Sequence, residues 1–108
     1  MTAASTAQTN LIHYLDATTL AALIRTKQLS SREVVQAHLD RVAAVNPKIN
    51  AVVTLMADDA LKSADKMVAR GAVLDPLHGV PFSIKDSLDT AGVLTKRGLQ
   101  IVRREYSR

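Results

Sequence analysis

The chain has 108 residues, 47% of them hydrophobic and 22% charged, a balance that fits one small globular domain and argues against both a disordered chain and a multidomain one. It contains no cysteine, which excludes disulfides, thiolate metal sites and a cysteine nucleophile. The formal charge of +4 resides wholly in residues 96–108, where Lys96, Arg97, Arg103, Arg104 and Arg108 stand against Glu105 alone, so the remainder of the chain is neutral.

That distribution describes a solvated basic tail rather than a nucleic-acid surface, and two Tyr and one Phe offer no platform for stacking bases. Residues 1–10 are small and polar, without the basic start and apolar run of a signal peptide, and are expected to form a flexible lead-in. No apolar run is long enough to span a bilayer, so a cytoplasmic location without a membrane partner is the expectation.

Ordered structure is expected from Leu11. Asp16 is placed to cap a helix over residues 17–27, in which Leu20, Leu23 and Ile24 recur at helical spacing. Ser30 and Glu33 have the spacing of a capping box and predict a second helix from there to Val45, with Val35, Leu39 and Val42 inward and Val34 and Val45 beside them. Asn46-Pro47 is expected to stop it, because proline disfavours the α conformation in the residue before it.

Residues 49–56 are rich in β-formers (Ile49, Val52, Val53) and predict a short strand. Ala57, Ala60, Leu61, Ala64, Met67 and Val68 then recur with a helical period, with Asp58, Lys62, Asp65 and Arg70 opposite, and Gly71 supplies a stop. Residues 80–84 form a second short apolar run, read as a strand in which Val80, Phe82 and Ile84 share one face and Pro81, Ser83 and Lys85 the other. Helix, helix, strand, helix, strand implies an α/β layer with a right-handed crossover. Two strands alone leave a sheet edge and helix faces uncovered, as if the layer continued.

Lys85 is the chemically suggestive residue. A lysine held in a desolvated site, away from carboxylates, loses its proton more readily and can serve as a general base near neutral pH. A lysine that merely ends a strand reaches water instead. His13, His38 and His78 lack ligand spacing and are assigned structural roles, and the glycines are too scattered for a phosphate loop.

The run Pro76-Leu77-His78-Gly79-Val80-Pro81-Phe82-Ser83-Ile84-Lys85-Asp86, followed by Asp89-Thr90-Ala91-Gly92, closely resembles the lysine segment of the amidase signature family. The helix start at residues 30–35 and the turn at residues 46–51 occur in the family's order. The resemblance implies an α/β fold in which helices pack on a mixed β-sheet, of which this chain would be an N-terminal portion. It also implies hydrolysis of carboxylic amides to acid and ammonia by a Ser-Ser-Lys triad, with Lys85 as the base that relays a proton through a middle serine. No cofactor is implied. The partners implied are a small-molecule amide substrate and, by analogy with the amidotransferase members of the family, another subunit or a second copy.

On this basis residues 1–10 are a lead-in, 11–95 a partial amidase domain and 96–108 a divergent basic tail, since Leu99 follows Gly98 where the family commonly has a Gly-Ser pair after Thr95. The Gly/Ser-rich segment that carries both triad serines and the oxyanion amides has no counterpart here, and Ser83 and Ser87 lack its context. A base without nucleophile or oxyanion donors cannot run acyl transfer, so this chain alone is expected to be inactive. The alternative is a non-catalytic interaction module that uses its helices for docking.

Overall fold

A computed structural model of the protein describes residues 11–70 and 75–95. Among these residues the chain forms a 3-10 turn, Ile12–Tyr14, and three helices: α1 (Ala17–Arg25), α2 (Ser31–Ile49) and α3 (Ala57–Arg70).

The Asp16 side chain accepts a hydrogen bond from the Thr19 backbone N–H at 2.7 Å and so caps α1 as its sequence position requires. The helix ends two residues before the expected Lys27. Lys27 adopts φ 60°, its N–H donates to the Ile24 carbonyl, and the N–H of Gln28 donates to the Leu23 carbonyl. These are the paired bonds of a Schellman stop, built here on a lysine rather than the usual glycine.

Ser30 caps α2 by accepting from the Glu33 N–H at 3.0 Å. Its C-terminus departs from expectation, because Pro47 lies inside the helix, which continues to Ile49. Proline there removes one N–H from the last turn only, and the Asn46 side chain binds Val52 twice, to its carbonyl and from its N–H, both at 2.9 Å. Asn50 then ends the helix at φ 49°, a left-handed conformation that asparagine tolerates better than most residues. The chain has reversed direction by Ala57.

The core gathers Ile12, Leu20, Leu29 and Val34, with Leu23, Ile24, Ala37 and Val80 packed against it. Val34, expected beside the inward stripe of α2, is its centre and is fully buried, a burial that contributes about 1.5–3 kcal/mol. On α3 the expected stripe holds at Ala57, Ala60, Leu61, Ala64 and Met67, with Ala64 buried, whereas Val68 is exposed. Arg32 near the start of α2 pairs with Asp65 late in α3 at 2.7 Å, which fits two helices running back to back in opposite senses.

The expected strands are a correction. Residues 50–56 are irregular, and residues 80–85 have no ladder partner among the described residues, where an isolated bridge joins Thr90 and Val93. The described part is therefore helical rather than an α/β layer. An apolar run becomes a strand only when another strand meets its N–H and C=O groups, and no such neighbour is present among these residues. Gly71, residues 1–10 and residues 96–108 lie outside the described residues.

Candidate functional site

The segment that carries Lys85 is rooted in the helical core. Asp75 accepts from the Leu77 N–H at 2.9 Å, and the N–H groups of His78 and Val80 donate to the carbonyls of Asp75 and Leu77, which folds residues 75–80 into successive turns. His78 is buried and Val80 packs on the core cluster. Between them Gly79 holds φ 84°, in the region that favours glycine, and its carbonyl accepts the Ser31 hydroxyl at 2.6 Å. A Cβ at this position would lie 3.2 Å from Ser31 and 3.3 Å from the Ile24 methyl, so a side chain would push on both in addition to the strain of its positive φ.

Beyond Val80 the chain leaves the core. Phe82, Ser83, Ile84 and Lys85 are all exposed, Phe82 to 84%, so nothing among the described residues desolvates the amine. The alternation that would put Phe82 and Ile84 on a buried face is present in the sequence, but nothing among the described residues covers that face. A turn follows in which the Leu88 N–H donates to the Lys85 carbonyl. A second turn closes from Val93 to Thr90, with Gly92 at φ 72° where a type II turn calls for positive φ.

Ser83 and Ser87 are exposed as well, and neither occupies a loop that would furnish oxyanion donors. The histidines serve the scaffold. The Nδ1–H of His38 donates to the Val34 carbonyl one helical turn back, and the His13 ring leans on Tyr14, over which Arg41 lies 5.8 Å from the ring centre. No group of three His, Cys, Asp or Glu among the described residues is placed to hold a metal, and no described helix is long and apolar enough to cross a membrane. A groove beside α2 is lined by His13, Arg32, Glu33, Asp40 and Arg41, and Lys85 takes no part in it.

The contact that sequence reasoning missed is Ser31 to Gly79. The sequence shows Ser31 only as the neighbour of the capping Ser30, and no local pattern announces a bond across 48 residues.

Comparison with known proteins supplies what the isolated geometry does not. The family model described as Amidase matches residues 33–108, most of the chain and all of the lysine segment. The chain belongs to the amidase family. It is 51% identical over 75 residues to an indoleacetamide hydrolase of Bradyrhizobium diazoefficiens, a match that covers 67% of this chain and 14% of that protein. It is 44% identical over 87 residues to the A-type subunit of a glutamyl-tRNA(Gln) amidotransferase from Carboxydothermus hydrogenoformans, covering 78% of the chain and 18% of the relative. An acylamidase of Rhodococcus erythropolis is 39% identical over 92 residues, covering 82% and 19%. This amidase-family chain thus spans less than a fifth of the length of these relatives. No solved structure matches it.

Proposed function

We propose that the chain contributes the general base of an amide hydrolase, with Lys85 in that role and a small carboxylic amide as substrate. The observation that supports this is the family match, whose span of residues 33–108 takes in the lysine motif. The unprotonated Lys85 amine takes a proton from a middle serine as that serine takes one from the nucleophilic serine. The nucleophile's oxygen bonds to the amide carbon, the C–N bond breaks, nitrogen leaves as ammonia with the relayed proton, and water then releases the acid from the acyl-enzyme.

Both serines and the oxyanion amides belong to the family's Gly/Ser-rich segment, so Lys85 is one part of a site that such a segment completes. In the assembled site a sheet neighbour covers Phe82 and Ile84, turns residues 80–84 into a strand of a mixed sheet, and takes Lys85 out of bulk water.

The test is a hybrid in which residues 33–108 replace the matching stretch of the Bradyrhizobium indoleacetamide hydrolase. Ammonia release from an aryl or aliphatic amide by the hybrid, cut about 100-fold or more by Lys85→Ala, is the expected result, in line with the usual worth of a positioned base. Full activity in Lys85→Ala would overturn the assignment. The amidotransferases among the relatives supply a second reading, in which ammonia passes to a partner protein. Capture of ammonia by an acceptor before it reaches solution would mark that case.

A further inference from the structure

We propose that Ser31 is a positioning residue for Lys85: its hydroxyl fixes, through the Gly79 carbonyl, the point at which the lysine segment leaves the helical core. The proposal rests on the catalytic assignment of Lys85 and adds the part of the fold that aims it.

Residues 78–80 meet the helices. His78 is buried, Gly79 touches Ser31 and Ile24, and Val80 packs on the Ile12, Leu20, Leu29 and Val34 cluster, whereas residues 82–85 are exposed. The hydrogen bond that reaches this root from the helices at Gly79 comes from Ser31, which is itself 3% exposed and opens α2. The bond is part-buried, so a Gly79 carbonyl deprived of the hydroxyl would regain water only in part, which makes its loss costly. The φ of 84° at Gly79 sets the direction in which the chain departs, and the close approach of Ser31 and Ile24 means that a Cβ there would press on both.

Lys85 lies six residues beyond Gly79, a span of at most about 20 Å. A shift of an ångström at the root is therefore carried toward the amine, and misplacement on that scale can lower a rate about 100-fold. Ser30, one residue earlier, is committed to capping α2 and does not duplicate the contact.

The experiment measures amide hydrogen exchange by peptide in the 108-residue chain for the wild type, Ser31→Ala and Ser31→Thr. The expected result is exchange about tenfold faster over residues 78–88 in Ser31→Ala, with α1, α2 and α3 within about twofold of wild type, and return to the wild-type pattern in Ser31→Thr, which keeps the hydroxyl. Faster exchange spread evenly over the helices, no change over residues 78–88, or no rescue by threonine overturns the proposal. So does a wild-type chain whose residues 78–80 exchange as fast as an unfolded peptide.

If Ser31→Ala does not fold, Gly79→Ala, which keeps the hydroxyl but crowds the same contact, must show the localised change over residues 78–88. In the hybrid amidase, Ser31→Ala is expected to lower kcat about tenfold at unchanged KM. Loss of activity confined to KM would make Ser31 a binding or stability residue instead. Exchange reports on the root alone and Lys85→Ala reports on the base alone, so failure of either is told apart from failure of the other.

Discussion

Residues 11–70 and residues 75–95 bury themselves to very different degrees. In the first region caps, a Schellman stop and a cluster around Val34 satisfy one another locally. In the second, His78 is the one buried residue among those described, Val80 packs on the cluster, and Phe82, Ile84 and Leu88 are exposed, whereas the exposed apolar side chains of the first region, such as Ile49, Leu55 and Val68, flank a buried core. The difference teaches that the helical region gathers its core from local signals, whereas the lysine segment is anchored at residues 78–80 and then exposes a run of apolar side chains. Apolar side chains left exposed in a row are what a strand presents to a neighbour.

The contrast is broken most forcefully by mutating each region in turn. Ile12→Ala, at a residue 2% exposed, should cost about 2–5 kcal/mol in chemical denaturation. Phe82→Ala should stay within about 0.5 kcal/mol, although it removes a larger side chain. Equal losses would mean that the segment packs as firmly as the helices. Gly79→Ala joins the regions and should cost about 1–3 kcal/mol from forced positive φ, together with displacement at Ser31. A neutral result would place the two regions in no fixed relation.

Within the helical region the expected effects shrink. Asp65→Ala removes the exposed pair with Arg32 and should cost at most about 1 kcal/mol, less in high salt. Lys27→Gly relieves a left-handed lysine and should raise stability by somewhat under about 1 kcal/mol in the same assay. The Asp16 carboxyl lies below its ordinary 3.8 because the Thr19 backbone N–H, and secondarily the Thr19 side chain, bond its charged form. Its cap therefore contributes above the unfolded value and is lost as pH falls through the folded one. Thermal midpoints of the wild type should drop between about pH 5 and about pH 2 by slightly more than those of Asp16→Ala. Identical pH profiles would show the cap to be silent.

The helices are legible in the sequence because their signals are local: Asp16, Ser30 with Glu33, and the 57–67 stripe each act within a turn or two. The end of α2 is not, since the rule that proline stops a helix says nothing of Asn46 gripping Val52 beyond it. The strands mislead for the opposite reason. Val52, Val53, Phe82 and Ile84 have the right side chains, but pairing is a property of two segments, and one segment cannot state it. Lys85 is visible through its motif, and the Ser31 contact escapes because it joins positions with no shared pattern.

The Asn46 grip bears on how the molecule is made. Closing a loop of six residues costs little chain entropy, and it sets the reversal between α2 and α3 without any contact from later sequence. The hairpin of α2 and α3 can accordingly assemble on a ribosome that has not yet released residues 75–95, presenting a prepared surface on which the lysine segment docks as it emerges.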